Sequence, residues 1–136
     1  DAIADWRAEC EQRLKDSGLR LEWQADTAIA DYRLTQPQAL NLGRILREGV
    51  SNIIRHAQAT HVSVKLEQNA THLLLTIADD GVGLAPGTRP GRGFSNMQRR
   101  AQRLGGQFSQ TANTPHGLVL HVQLPLHNLA RTPASS

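Results

Sequence analysis

The chain of 136 residues carries 15 Lys and Arg against 12 Asp and Glu, a net charge of +3, with 39% hydrophobic and 20% charged residues. Those proportions suit one soluble globular domain burying about two-thirds of its unfolded surface, and no apolar run approaches the roughly 20 residues of a membrane span. A lone cysteine, Cys10, excludes an internal disulfide or a cysteine-built zinc site and fits a reducing cytosol, while scattered arginines and 4% aromatic content argue against nucleic acid as a partner.

The sequence starts at Asp1 without Met or a basic-then-apolar leader, as expected of a piece of a longer chain with no secretory signal. Ile3, Trp6, Cys10 and Leu14 recur at helical spacing and Gly18 follows as a stop, which predicts an amphipathic helix over 3–15. "LRLEWQ" (19–24) alternates as a half-buried strand. After a loop through Thr35 and Pro37, residues 37–57 place Leu42, Ile45, Leu46, Val50, Ile53 and Ala57 on one broad face, predicting a single long helix. "HVSVKLEQ" (61–68) and "HLLLTIAD" (72–79) predict an antiparallel hairpin. Gly81, Gly83, Gly87, Gly91 and Gly93 with Pro86 and Pro90 predict a long functional loop. "FSNMQRRAQRLGG" (94–106) predicts a helix stopped by Gly105 and Gly106, and "QFSQTA" with "GLVLHVQLPL" a closing antiparallel pair. "ARTPASS" is expected as a frayed tail. Strands grouped beside helices give an α+β sandwich with helices covering one sheet face.

Several residues stand out chemically. Glu48, Asn52 and His56, four apart on the predicted helix, form a polar stripe at the border of its apolar face. The Asn52 amide oxygen suits Mg²⁺ that keeps waters and phosphate oxygens, and Glu48 can orient a metal-bound water or take a proton from a nucleophile. A surface hydrogen-bonded pair is the bland alternative for those two, and a helix-dipole partner for His56. Asp79 ends a buried strand before Gly81 and Gly83, where a carboxylate can accept from an exocyclic amine such as adenine's and glycines admit a planar ligand; "DDG" is equally a turn signal. "GRGF" leads into a helix whose free N–H groups suit phosphate, or it is a plain loop closure. Arg55, Arg89 and Arg92 offer positive charge for phosphate or are simply solvated.

In order and spacing, "EGVSNIIRHAQA", "DDGVG", "GRGFSNMQRRAQRLGG" and "HGLVLHVQLP" resemble the ATP-binding domain of bacterial sensor histidine kinases, above all the nitrate-sensor-like branch whose output regulators carry helix-turn-helix domains. The resemblance covers about residues 38–126 and implies the Bergerat fold shared with gyrase, heat-shock-90 chaperones and mismatch-repair ATPases. It implies Asn52 as ligand of Mg²⁺ and Glu48 as the acidic residue one turn before it. Asp79 is implied as the adenine carboxylate, completed by Gly81 and Gly83. Gly91 and Gly93 match the second glycine box, with an ATP lid between the boxes, and the ATP site is expected to include Arg55, His56, Arg92 and Phe94.

The implied organisation is a leading helix over 1–18, the ATP-binding domain over 19–127 and a tail over 128–136. The implied partners are a dimerisation and phosphoacceptor-histidine domain of the same homodimeric parent and a helix-turn-helix response regulator. No nucleic acid and no direct membrane contact are expected; the domain itself is expected in the cytoplasm, with a parent anchored in the inner membrane as one arrangement. An anti-sigma-factor serine kinase and a nucleotide-driven clamp of the same fold are the rival readings. Two departures stand out: Gly117 is followed by Leu118 where the family has Thr, and no histidine sits in the acidic context of a phosphoacceptor.

Overall fold

The computed structural model describes residues 2–26, 29, 32–83 and 92–131. Trp6, Cys10 and Leu14 line the buried face of helix α1 (Ala2–Asp16), which ends where Gly18 takes φ +75 and the Leu19 N–H donates back to the Leu14 carbonyl. Burial pushes the Cys10 thiol up to about 11, so this cysteine serves the core as an unreactive packing group. Strand β1 (Arg20–Ala25) leaves α1 and pairs in parallel with β3 (His61–Gln68).

The hairpin expected over 61–79 is present: β3 runs antiparallel to β4 (His72–Asp79), with Val64 opposite Ile77. Strands β5 (Gln107–Ala112) and β6 (Leu118–Pro125) form the closing antiparallel pair, and β6 joins β4 to give the order β1-β3-β4-β6-β5. Val62, Val64 and Leu66 of β3, Leu73, Leu75 and Ile77 of β4, and Leu120, Val122 and Leu124 of β6 are buried, so one face of the sheet is apolar while Ser63, Lys65, Thr76 and His121 lie on the other. Against the apolar face pack α1, α2 (Gln36–Asn52) and α3 (Arg92–Arg103), through Leu42, Ile45, Leu46, Val50, Met97 and Ala101. This is the expected α+β sandwich, a mixed, mostly antiparallel sheet with helices on one face.

Two expectations change. The helix predicted over 37–57 is α-helical only from Gln36 to Asn52; Ile53–Ala57 is a π turn, closed by Gln58 at φ 52. Bonds in a π turn run from i to i+5, so the four-residue stripe does not continue through it. The tail expected from residue 128 begins inside the fold. Asn128 donates to the Leu104 carbonyl at 3.1 Å while its own carbonyl accepts from Gln38 Nε2 at 2.8 Å, and Leu129 is buried. Ala130–Arg131 (β7) then pairs antiparallel with Tyr32–Arg33 (β2). Asn128 thereby ties the first turn of α2 to the last turn of α3, the two helices that flank the site.

Candidate functional site

The end of β4 is where the sequence concentrates its signals, and its two aspartates do different work. Asp79 is 4% exposed, the only buried charged residue among those described. Its Oδ1 accepts from the Gly81 N–H at 2.8 Å, and the Leu118 N–H also donates to the carboxylate. Burial nevertheless dominates and raises its pKa above the ordinary 3.8, with the two N–H groups acting in the opposite direction. Asp80 instead faces outward: it accepts from the N–H groups of Thr60 and His61 at 2.8 and 2.9 Å and from the Thr60 hydroxyl at 2.7 Å, which holds its carboxyl well below the usual range. Asp80 pins the start of β3 to the end of β4, leaving Asp79 as the carboxylate aimed inward.

Glycines close the surroundings of Asp79. Gly117, at φ 112, lies so near the Asp79 carbonyl that a Cβ there would strike it and would come within 3.1 Å of Oδ1. Gly83, at φ +70, stacks on Gly117 from the other side, where a Cβ would stand 2.9 Å from the Gly117 oxygen. Two positions outside the predicted set complete this end. Asn113 Nδ2 donates to the Asp79 carbonyl at 2.8 Å, and His116 Nδ1 lies 3.1 Å from the Gly81 carbonyl. Their signal in the sequence is only the turn chemistry of "ANTPHG", which any β5–β6 connection shares. The Thr-to-Leu departure at position 118 is partly bridged, since the backbone N–H of Leu118 reaches Asp79 without a hydroxyl.

The second cluster forms where α3 begins beside α2. Gly93 sits so close that a Cβ would meet Glu48 Oε1 at 2.8 Å and Asn52 Nδ2 at 3.0 Å. Glu48, Asn52 and Gly93 therefore stand together, three of the residues that the resemblance implies for one site. His56 does not continue the stripe: the π turn leaves it exposed, and Arg55 takes the position beside Asn52. Arg55 Nη2 donates to Asn52 Oδ1 at 3.3 Å and lies 3.9 Å from Glu48 Oε1. Phe94 turns inward and stacks edge-to-face on Phe108 with centroids 5.1 Å apart, which anchors the start of α3. Gly91 and the lid residues 84–90, Arg89 included, lie outside the described residues, as does the side chain of Arg92.

Asn52 Oδ1 and Glu48 Oε1 are half-exposed oxygens already facing a cation, the Arg55 guanidinium. One neutral and one anionic oxygen, open to solvent, fit Mg²⁺ that keeps its waters and phosphate ligands. No cluster of three or more His, Cys, Asp or Glu suited to a metal occurs among the described residues.

Residues 38–128 match the family model described as histidine kinase-, DNA gyrase B- and HSP90-like ATPase. The chain belongs to that ATPase family. Within it, the chain is 36% identical over 118 residues to the signal transduction histidine-protein kinase/phosphatase UhpB of Salmonella typhimurium, covering 85% of this chain and 22% of that one. It is 41% identical over 83 residues to the sensor histidine kinase YxjM of Bacillus subtilis, covering 61% and 20%. The chain thus spans about a fifth of the length of these curated relatives. Among solved structures, the blue-light activated histidine kinase of Erythrobacter litoralis superposes with a TM-score of 0.75 at 20% identity, covering 92% of this chain and 44% of that one. The mycobacterial sensor histidine kinase MprB gives 0.69 at 19%, covering 96% and 95%. Those structures share the fold, the Bergerat sandwich of this ATPase family.

Proposed function

We propose that this member of the family is the ATP-binding catalytic domain of a two-component sensor histidine kinase of the nitrate-sensor-like branch, and that it presents Mg-ATP to a histidine on a separate dimerisation domain. The observation that carries the reading is the buried Asp79 carboxylate at a strand end floored by Gly81, Gly83 and Gly117. A carboxylate there receives the exocyclic amine of adenine, and the close glycine backbones give the flat base its room. The phosphates then extend toward Gly93 and the first turn of α3, where free N–H groups and the helix dipole favour anions.

Mg²⁺ held by Asn52 would neutralise charge on the triphosphate. Arg55 leaves Asn52 Oδ1 for phosphate oxygen as the nucleotide arrives, since its Nη2, at 3.3 Å from Asn52 Oδ1 and 3.9 Å from Glu48 Oε1, is loosely held where it stands. Glu48 would orient a water or take the proton that an attacking imidazole loses. His56, Arg92 and Phe94 are the further residues proposed for the ATP site. The output partner is proposed to be a helix-turn-helix response regulator. Sensor-kinase relatives favour this reading over the anti-sigma-factor kinase and the clamp.

Transfer to histidine needs the attacking nitrogen in line with the γ-phosphate, and His56 is fixed on the π turn at the end of a packed helix. With radiolabelled ATP, the chain alone is expected to bind nucleotide and remain unlabelled, while an added phosphoacceptor hairpin becomes labelled. Acid-labile, base-stable phosphate on the chain itself, lost when His56 is replaced, would overturn this division of labour.

A further inference from the structure

The five-stranded sheet ends in β1 on one side and in β5 on the other, and the two edges differ. Strand β1 exposes Arg20 and Glu22, and charged side chains of this kind keep an edge from pairing with another chain. Strand β5, the six residues "QFSQTA", has neither a charge nor a proline. Half of its backbone is also unpaired. The Asn113 N–H donates to the Gly117 carbonyl at 3.0 Å, and the ladder runs on in register with Ala112 opposite Leu118. Bonds in an antiparallel ladder alternate, so Gln107, Ser109 and Thr111 bond to β6 while Phe108, Gln110 and Ala112 turn their N–H and C=O groups outward. Among the described residues no further backbone bond reaches those outward groups. Beside the start of β5, Gln98 and Gln102 of α3 join Gln107, Ser109 and Gln123 in lining an open cleft of about 220 Å³. Its polar lining is neutral throughout.

We propose that the β5 edge is an interface between two copies of this chain, paired antiparallel about a two-fold axis at Gln110. The occupant follows from self-complementarity, which a two-fold interface requires. With Gln110 opposite its own copy, Phe108 meets Ala112 and Ser109 meets Thr111 across the axis. Each outward residue then exchanges N–H and C=O bonds with the residue facing it. A large ring faces a methyl group, hydroxyl faces hydroxyl, and amide faces amide. No charged side chain enters the pairing, so the net charge of +3 on each copy opposes it only at a distance, where salt screens it. The same register sets Gln107 opposite Asn113, so the neutral cleft beside Gln107 receives the polar turn that begins at Asn113 of the second copy. Six residues of strand extend about 20 Å. Such a pairing covers less than the roughly 1,200 Å² of a standard stable interface, and the expected dissociation constant is above about 10 µM.

Sedimentation velocity of the chain between about 10 µM and about 1 mM is expected to show monomer giving way to dimer. Gln110→Lys and Gln110→Glu each set like charges face to face at the two-fold axis and should weaken self-association about fivefold or more. An equimolar mixture of the two variants, with opposite charges facing, should regain it, which also shows that both fold. The unaltered chain provides a second measurement that needs no variant. Deuterium exchange at the Phe108, Gln110 and Ala112 amides should slow about twofold or more at the higher concentration, while the Ser109 and Thr111 amides, already bonded to β6, change less. A chain that stays monomeric at about 1 mM would overturn the proposal. So would edge amides that exchange alike at both concentrations, self-association that the substitutions leave unchanged, or a mixture no more associated than either variant alone.

Discussion

The two ends of the site are built by different means. At the base end, the Asp79 carboxylate, Gly81, Gly83, Asn113 and Gly117 are held by bonds of about 2.8 Å and by backbones packed too closely for any side chain. At the phosphate end, Glu48, Asn52 and Arg55 meet at 3.3 to 3.9 Å with side chains a third or more exposed at Glu48 and Arg55. Short buried bonds fix geometry before a ligand arrives, whereas long exposed ones reorganise at little cost. The base end is therefore preformed, and the phosphate end is completed by what binds there.

The largest expected effect breaks the base end. Gly117→Ala forces a Cβ against the Asp79 carbonyl at a φ that side chains avoid, so urea unfolding should show a loss of more than about 2 kcal/mol, with ATP binding lost alongside. Gly93→Ala acts on the other end alone. Its Cβ displaces Glu48 and Asn52, and calorimetry should show Mg-ATP weakened roughly tenfold with adenosine binding and stability nearly unchanged. If both ligands weaken equally, the two ends are not separable.

The smallest effects sharpen the base end by setting its adjacent aspartates against each other. Asp79 has a raised pKa, so its contribution to stability is present below the ordinary 3.8 and is lost as pH rises through the raised value; the ionised form is a cost at neutral pH. Asp80 has a depressed pKa, so its contribution is present above 3.8 and is lost as pH falls toward the depressed value. Thermal melts at neutral pH should show Asp79→Asn equal to or slightly more stable than the parent, and Asp80→Asn less stable by about 1 kcal/mol. Both differences should shrink on acidification, and the same sign for the two variants would contradict the assignment.

Much of this arrangement is legible in the sequence because periodicity reports burial. The alternation in β3 fixes which of its side chains enter the core, whereas β4 is nearly all apolar and takes its inward set from pairing with β3; the four-residue spacing of Glu48 and Asn52 survives because that part of α2 is regular. The π turn is not legible: Ile53 and Ile54 read as more of an apolar face, and an i to i+5 bond leaves no periodic trace, so His56 was expected where Arg55 stands. Strands of two residues, β2 and β7, are too short to alternate, which hides the role of residues 128–131. Thr35 and Gln38 form a capping box with Pro37 at the helix start, a local signal that the turn chemistry of Thr35 and Pro37 masks. Asn113 acts through one long-range bond to a carbonyl, and nothing in its neighbourhood announces that partner.

The central claim is that Asp79 reads the amine of adenine. Calorimetric titration of ATP and of inosine triphosphate, which carries an oxygen acceptor in place of that amine, into the chain and its Asp79→Asn variant tests this most directly. A charged hydrogen bond in a partly buried site is worth about 1.5–3 kcal/mol, so ATP should bind roughly ten- to a hundredfold more tightly than inosine triphosphate. That preference should disappear in Asp79→Asn. Equal affinity for the two nucleotides in the unaltered chain, or a preference that survives the substitution, would contradict the account.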